Sequence, residues 1–328
     1  MGGVWVIGEV VDGRPTRLTL ELATLAARMT SDTLGGASVL LVVAGDTLAA
    51  GAAEEVAAHG AAVIVAVGGK LEQPVAVTVA SVAAPLIEER APDVVLVGAT
   101  SDGKDVAGLL VGLTGLPILV AVTGLERGSD GLVVEARTFG GRVVTRSIFR
   151  EGRGIILVRP GAATAQVADM RGEIEHVVVT PRWLPAVRVL SRVAEAATGA
   201  SIDEARVIVG GGRGVAGPEG VTLLEALARE LGGAVGATRA AVDAGWIDFA
   251  QQIGQTGKTV KPDLYIACGV SGATQHAVGI QSAGTIVAVN KDPGAPVAQF
   301  ADLLVVGDLF EIVPRLTEAI RSSRDGRT

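Results

Sequence analysis

The segment VSGATQH, residues 270–276, gathers polar side chains directly after the apolar run DLYIACG. It contains Ser271, Gly272, Thr274, Gln275 and His276. Backbone N–H groups at the point where a strand ends and a helix begins favour negative charge, so this segment is suited to binding an anion such as a phosphate. The alternative is a structural role, with the serine as a helix N-cap and the histidine satisfied in the core.

Two glycine-rich turns lie in the same half of the chain. Gly212-Arg-Gly-Val-Ala-Gly217 matches the G-x-G-x-x-G pattern of dinucleotide-binding loops and stands between a predicted strand and a predicted helix. The acidic residue that should follow is misplaced, since Asp243 comes late, and Arg213 is the better indicator because a guanidinium offers forked donors to a phosphate. The second turn, Gly254-Gln-Thr-Gly-Lys258, lacks the spacing of a Walker loop and taken alone is a surface turn.

Asn290 and Asp308 end two further predicted strands, TIVAVN and DLLVVGD. Each residue taken alone is typical of a turn or a helix cap, but together the polar strand ends predict a ligand site, because open α/β sheets bind ligands at the carboxyl ends of their strands. The first half of the chain offers one comparable loop, GATSDGKD at residues 98–105, where a structural role is favoured.

The sequence gives little support to hydrolytic or metal chemistry. His59 and His176 have no plausible nucleophile nearby in sequence, and no metal-binding spacing is found. Cys268 lies in an apolar strand and is favoured as a core residue. We therefore expect no catalytic residue and no metal site.

The elements that must position these residues alternate between strand and helix patterns. Apolar runs such as SVLLVVAG and DVVLVGAT, each followed by a helical pattern, predict parallel strands covered on both faces. Residues 131–161 read instead as consecutive strands with turns at RGSDG and GG, which adds antiparallel pairing. The predicted class is α/β with two domains: an N-terminal domain, 1–190, whose mostly parallel sheet carries added antiparallel strands, and a C-terminal Rossmann-like domain, 191–328.

Composition and charge exclude several classes of protein. The net charge is −7, without a Lys/Arg-rich stretch, which argues against nucleic-acid binding. The single cysteine excludes a disulfide framework. The uncharged window at residues 106–125 is long enough for a membrane span, but Gly115 and Pro117 divide it into a predicted buried helix, a turn and a buried strand. No targeting segment is visible at the start, so we expect a cytoplasmic protein without direct membrane insertion.

The ordered set of motifs in residues 206–315 resembles the alpha subunit of electron-transfer flavoprotein. The matching segments are VGGGRG, AVGATRAAVDAGW, QIGQTGKTVKPDLYIACGVSGATQHAVGI, TIVAVNKDPGAPVAQFADLLVVGDL and VPRLTEAI. Looser similarity in PDVVLVGATSDGKDVAGLL and ARTFGGRVVTRSIF extends the resemblance over nearly the whole chain. It implies an N-terminal electron-transfer flavoprotein domain and a C-terminal domain that binds FAD.

The resemblance also implies which residues contact FAD. Carried over position by position, they are Arg213, Thr238, Arg239, Ile253, Gly254, Gln255, Thr256, Ser271, Gly272, Ala273, Thr274, Gln275, His276, Asn290, Asp308 and Leu309. The pyrophosphate falls to Arg213, Thr238 and the amides from Ser271 onward, and the adenosine end to Asn290 and Asp308. Thr256 is expected near flavin N5, and His276 and Arg239 are expected to place positive character near the ring.

The implied function is electron transport rather than conversion of a substrate. The resemblance implies a heterodimer with a beta subunit that accepts electrons from flavoprotein dehydrogenases, such as acyl-CoA dehydrogenases of fatty acid β-oxidation, and passes them to a membrane quinone oxidoreductase. One alternative is an NAD-dependent oxidoreductase or transferase that uses the C-terminal nucleotide-binding domain. A regulatory module with a structural nucleotide, or an electron-bifurcating relative, also stays open at this point.

Overall fold

The chain divides into two structural units, Met1–Val193 and Ala194–Thr328. The structure is a computed structural model that describes residues 3–30, 36–43, 48–68, 73–128, 131–138, 143–182, 187–191, 202–203 and 205–325. The predicted domain boundary between residues 190 and 191 stays a prediction, since most of the residues after it, 192–201, lie outside the described part.

A nine-stranded sheet dominates the described residues of the first unit. Its strands are β1 (Val4–Gly8), β4 (Ala37–Val43), β5 (Ala62–Val67), β6 (Val94–Gly98), β7 (Ile118–Gly128), β8 (Gly131–Thr138), β9 (Val143–Ser147), β10 (Gly154–Val158) and β11 (Ile174–Val178). They lie in the order β11-β5-β4-β1-β6-β10-β7-β8-β9. A separate short hairpin joins β2 (Val10–Val11) and β3 (Arg14–Pro15).

The sheet is parallel except at one side, where β7, β8 and β9 pair antiparallel. The predicted mixed sheet is confirmed, although residues 129–130 and 139–142, on which the predicted turns fall, lie outside the described residues. One detail was wrong: β10 is a parallel strand between β6 and β7 rather than a member of the antiparallel series. Its run GIILV is buried along its whole length, which is typical of a central parallel strand.

Helices pack on the nine-stranded sheet. They are α1 (Arg17–Thr30), α2 (Ala52–Ala57), α3 (Val75–Arg90) and α4 (Ser101–Thr114). The uncharged window therefore contains α4, a turn with Gly115 in the left-handed region at φ 69°, and the start of β7. The prediction of a fully buried strand there was wrong, since Val120 is 54% exposed. Among the described residues, none of the helices combines the length and the apolar character that crossing a membrane requires.

The second unit contains a five-stranded parallel sheet in its described residues. Its strands are β12 (Val207–Gly211), β13 (Ala234–Ala237), β14 (Leu264–Cys268), β15 (Thr285–Asn290) and β16 (Leu303–Val306). Its helices are α5 (Pro218–Glu230), α6 (Arg239–Asp243), α7 (Thr274–Ile280) and α8 (Leu309–Asp325).

The strand order in this sheet is β13-β12-β14-β15-β16, and all four neighbouring pairs are parallel. The chain moves from β12 to one side and then returns to place β14 on the other side. The switch point of the topology therefore lies between β12 and β14, where open α/β sheets form a crevice at the carboxyl ends of the strands.

Side chains of alternate residues fill the two faces of this sheet. One face packs Val209, Ile266 and Cys268 beneath α5 and α8, and the other packs Ile208 and Tyr265. With both faces covered, the polar groups of the strands are exposed to ligands only at their ends.

Candidate functional site

A cavity of about 790 Å³ opens at the carboxyl edge of β12, β13, β14 and β15. Its lining comes from the turn after β12, the start of α6, the 252–258 loop, the 269–276 segment and the loop after β15. A smaller cavity of about 410 Å³ lies in the first unit, and no predicted site residue lines it. The larger cavity is therefore the candidate site.

The structure brings most of the predicted contact residues together around this cavity. Those that line it are Arg213, Thr238, Arg239, Ile253, Gly254, Gln255, Thr256, Ser271, Ala273, Gln275, His276 and Asn290. Four of the predicted residues are not part of the lining, namely Gly272, Thr274, Asp308 and Leu309.

Some lining residues were missed by the sequence reasoning. They are Ala240, Asp243, Gly269, Val270, Asp292, Ala295 and Pro296, whereas Gly212 and Gly214, which also line the cavity, belong to the glycine-rich turn that the sequence singled out. The run KDPGAP after β15 carried a usable signal, because an Asp with Pro and Gly marks a turn immediately after a strand end.

The 269–276 segment leaves β14 through two glycines in the left-handed region, Gly269 at φ 62° and Gly272 at φ 85°. A Cβ on Gly272 would overlap the backbone of Val297, which explains why this residue faces a neighbouring turn rather than the cavity. The N-cap of α7 is Ala273, so the alternative of Ser271 as N-cap was wrong.

The backbone amides of residues 271–275 form a row of available donors. None of them donates a hydrogen bond to another described residue, although Ser271, Ala273 and Gln275 line the cavity. Since an N–H group that stays near a cavity without an acceptor is suited to an anionic ligand, this segment agrees with the anion site predicted from its sequence.

The turn after β12 approaches the 269–276 segment closely. The amide of Gly212 donates to the Cys268 carbonyl and that of Gly214 to the Gly269 carbonyl, each at 3.0 Å. A Cβ on Gly214 would lie 2.8 Å from the Gly269 Cα, so only glycine permits this approach. Arg213 between the two glycines is exposed, and no ion pair joins it to another described residue.

Thr238 carries a buried hydroxyl that is not satisfied. Its Oγ1 has no hydrogen-bond partner among the described residues. The residue is the N-cap of α6, yet its side chain makes no capping hydrogen bond. A buried hydroxyl without a partner costs roughly 1–3 kcal/mol, so its presence in a cavity wall indicates a ligand that supplies the partner.

His276 is buried, and both of its ring nitrogens have partners within the protein. Its Nδ1 lies 2.9 Å from the Ile253 carbonyl oxygen and its Nε2 lies 2.9 Å from the Tyr265 hydroxyl. Burial lowers the pKa of the imidazole to about 4, so the ring is neutral at physiological pH. The positive character expected of this residue near a flavin ring therefore does not come from a net charge, and it stays a prediction.

Arg239 retains its charge at the cavity wall but shares it with a neighbour. Its Nε donates to Asp243 Oδ2 at 3.2 Å, and both side chains are largely exposed. An exposed pair of this kind contributes little to stability, so a negatively charged ligand group competes with Asp243 for the guanidinium at low cost.

Asn290 and Asp308 are both engaged within the protein. Asn290 donates from Nδ2 to the Val270 carbonyl at 2.8 Å and accepts from the Asp292 amide at 3.0 Å. The Phe310 amide donates to Asp308 at the start of α8, and this bond, together with Lys291, holds the pKa of the Asp308 carboxyl below its usual value. Asp308 is thus a helix cap beside the site, and Leu309 is buried in the core.

Comparison with known proteins matches a different family domain to each of the two units. The family model described as "Electron transfer flavoprotein domain" matches residues 4–182. A second, described as "Electron transfer flavoprotein FAD-binding domain", matches residues 201–281, which include most of the cavity lining.

Individual relatives match over almost their whole length. A protein named "Electron transfer flavoprotein subunit alpha" from Mycobacterium leprae is 40% identical, with 99% of this chain and 100% of the relative covered. A protein of the same name from Bacillus subtilis is 41% identical, with 97% of each chain covered. "Protein FixB" from Clostridium saccharobutylicum is 36% identical, covering 96% of this chain and 95% of its own.

Proposed function

Because the chain belongs to the alpha-subunit family of electron transfer flavoproteins, we propose that it is the FAD-binding half of a heterodimeric electron carrier. Its second unit contains the FAD-binding domain of the family. In this proposal a beta subunit completes the heterodimer, flavoprotein dehydrogenases such as acyl-CoA dehydrogenases donate electrons, and a membrane quinone oxidoreductase accepts them. The carrier works in the cytoplasm.

The residues around the cavity fit FAD. The dinucleotide needs anion donors for its pyrophosphate, and the cavity offers the Arg213 guanidinium, the unsatisfied Thr238 hydroxyl and the amides of residues 271–275. The volume of about 790 Å³ is within the usual range for ligand sites. The observation that carries the proposal is the Thr238 hydroxyl, because a buried donor without a partner serves no structural purpose in the protein alone.

Each part of the lining has a role in binding and orientation. Arg213, Thr238 and the 271–275 amides hold the pyrophosphate by charge-assisted hydrogen bonds. Ile253, Gly254, Gln255 and Thr256 line the cavity and would form the wall beside the flavin ring, where the Thr256 hydroxyl would be available as a hydrogen-bonding group. Asn290, fixed by its bonds to Val270 and Asp292, presents its remaining amide hydrogen and lone pair to the adenosine end. Asp308 and Leu309 lie outside the lining and support the protein wall at the adenosine end.

Bound FAD would supply the redox chemistry, because a flavin accepts and releases electrons. The chain's own residues would then bind the FAD, orient it and polarise its flavin ring. Arg239 contributes the positive charge at the flavin end, and the neutral His276 contributes a fixed wall rather than a proton. No nucleophile or general base is needed, which agrees with the scarcity of reactive side chains in the sequence.

An NAD-dependent enzyme built on the same domain is less consistent with the cavity. Such an enzyme needs an acid or base that exchanges protons near neutral pH. His276 is the histidine that lines the cavity, and both of its ring nitrogens are engaged by Tyr265 and Ile253.

The exposed edge of the first unit supports a partner subunit. Edge strand β9 exposes Val143 and Val144, and Ile148 follows with 51% of its surface exposed. The same strand carries Arg146, which pairs with Glu126 and Glu135, but the three exposed aliphatic side chains agree with coverage by another chain.

The test is to co-express the chain with an electron transfer flavoprotein beta subunit from the same organism and to purify the complex. We expect a yellow protein that an acyl-CoA dehydrogenase with its substrate reduces reversibly, while NADH alone does not. A colourless complex with affinity for NAD would contradict the proposal. A flavoprotein that NADH reduces directly would point instead to a bifurcating relative.

A further inference from the structure

A buried chain of hydrogen bonds lies behind the cavity wall. Tyr265 on β14 has no exposed surface, and its hydroxyl lies 2.9 Å from His276 Nε2. His276 Nδ1 lies 2.9 Å from the Ile253 carbonyl oxygen. A carbonyl oxygen can only accept, so Nδ1 must carry the hydrogen, and in the neutral ring Nε2 then accepts from the tyrosine hydroxyl.

The neighbouring strand leaves room for this chain of bonds. Gly210 on β12 lies beside Tyr265, and a Cβ at this glycine would overlap the tyrosine hydroxyl. The glycine therefore permits the tyrosine to extend as far as His276. Burial also favours this arrangement, because it lowers the pKa of the imidazole and so keeps the ring neutral.

The Ile253 carbonyl belongs to the 252–258 loop, which forms one wall of the cavity. This loop is held against α7 by the Gln255 amide, which donates to the Gln275 carbonyl at 2.7 Å. Gly254 fits there at φ 137°, and a Cβ on it would lie 2.6 Å from the same carbonyl oxygen. The hydrogen bond between His276 and the Ile253 carbonyl also joins the loop to α7, through a side chain. This bond forms only when Nδ1 carries the hydrogen.

We propose that Tyr265 is a positioning residue that fixes His276 as the Nδ1–H tautomer and thereby holds the Ile253–Thr256 wall of the cavity in place for the flavin. Tyr265 does not line the cavity, so it acts only through His276. This inference rests on the proposed function, because it assigns the wall to flavin binding.

The first readout is the ¹⁵N spectrum of histidine-labelled, FAD-containing heterodimer at neutral pH, with the chain's three histidines assigned by substitution. We expect His276 to show a protonated Nδ1 and a bare Nε2 that is shifted by its hydrogen bond. Tyr265→Phe removes that bond and should move the Nε2 resonance toward the value of a free imidazole nitrogen or mix the two tautomers. A protonated Nε2 in the wild-type protein, or an unmoved resonance in Tyr265→Phe, would overturn the proposal.

The second readout is the dissociation constant of FAD, which Tyr265→Phe should raise about fivefold, as expected for one buried hydrogen bond. His276→Asn places an amide N–H where Nδ1–H stood, so it keeps the donor to Ile253 without the link to Tyr265. In that background Tyr265→Phe should have no further effect, whereas a purely structural tyrosine would weaken FAD binding equally in both backgrounds.

Cys268→Ala is the matched control, because it removes one buried atom from the same strand but on the opposite face. It should leave the FAD dissociation constant and the His276 spectrum unchanged. The two possible failures are distinguishable. A wild-type heterodimer without flavin contradicts the proposed function, whereas a flavin-containing heterodimer in which Tyr265→Phe changes neither readout contradicts only the role of Tyr265.

Discussion

Thr238 and Arg213 give the clearest residue-scale sign of a ligand in this chain. One is a buried hydroxyl and the other a guanidinium, and neither has a hydrogen-bond or ion-pair partner among the described residues. Proteins normally satisfy buried polar groups, so the Thr238 hydroxyl, with the exposed Arg213 guanidinium on the same cavity wall, indicates that a bound anion completes the site.

Thr238→Val tests whether the Thr238 hydroxyl contributes to ligand binding or to the stability of the fold. Valine has nearly the same shape but no hydroxyl, so the unsatisfied group disappears from the FAD-free protein. We expect its free energy of unfolding to stay equal or to rise by about 1 kcal/mol, while the FAD dissociation constant rises about tenfold. Urea denaturation of the FAD-free protein and fluorescence titration with FAD measure the two quantities.

Thr238→Ser is the control for this change, because it keeps the hydroxyl and should bind FAD nearly as the wild type does. The assignment of Thr238 would be wrong if Thr238→Val lowered the unfolding free energy and left FAD binding intact.

The buried imidazole of His276 predicts a pH-dependent stability. Its pKa falls from 6.5 to about 4 on folding, so between these values the unfolded chain binds a proton that the folded chain does not. The contribution is complete above pH 6.5 and is lost as the pH falls toward 4, by roughly 3 kcal/mol in total.

His276→Asn does not titrate, so its unfolding free energy should fall less than that of the wild type between pH 7 and pH 4.5. Urea denaturation at the two pH values gives the comparison. Parallel declines in both proteins would mean that the imidazole is charged in the folded state.

The residue types of the site could be predicted from the sequence, but their environments could not. The run SGATQH and Arg213 were informative because they follow apolar strands. The hydrogen bonds of His276 could not be predicted, because its partners Tyr265 and Ile253 are brought near only by the packing of β14 against the 252–258 loop.

At the scale of elements, the site is a product of strand order. The turn after β12 and the 269–276 segment after β14 are adjacent because the sheet reverses its direction of growth between these strands. Gly212, Gly214 and Gly269 let the two backbones touch, since a Cβ on any of them would press on the opposing backbone.

Gly212→Ala should therefore damage the site more than a typical glycine substitution does. Its Cβ would overlap the Gly269 carbonyl oxygen, so one of the two loops must move. We expect the melting temperature of the protein to fall and its FAD content after purification to drop at least tenfold.

Gly108→Ala is the control, because Gly108 lies in α4 with open space around it. Alanine is favoured over glycine in a helix, so this change should stabilise the protein by up to about 1 kcal/mol without loss of FAD. Equal FAD content in the Gly212→Ala and wild-type proteins would contradict the close-approach argument.

The sequence predicted the types of the elements well where hydrophobic periodicity agreed with the positions of glycine and proline. Gly115 and Pro117 correctly separated α4 from β7 within the uncharged window. The sequence predicted less well where spatial neighbours decide the role of a segment. β10 was assigned to the antiparallel series, although it pairs in parallel with β6. Asp308 caps α8 instead of lining the cavity.

At the scale of the whole molecule, the chemistry is concentrated in one of two units. The first unit has a large sheet with an exposed apolar edge strand, and the second has the cavity with its unsatisfied donors. Composition and alternation sufficed to predict two α/β domains. The expectation of a beta subunit came from the resemblance to electron-transfer flavoprotein rather than from composition, because the groups that complete the partner's surface belong to another protein.

FAD content of the purified heterodimer, compared between Ala273→Trp and wild type, tests the central claim most directly. Ala273 lines the cavity and is exposed, so an indole there should fill the space that FAD needs without disturbing the core. The account predicts about one FAD per heterodimer for the wild type and for a control with Ala319→Trp on the exposed face of α8, and almost none for Ala273→Trp. Full FAD content in Ala273→Trp, or a wild-type heterodimer without flavin, would contradict it.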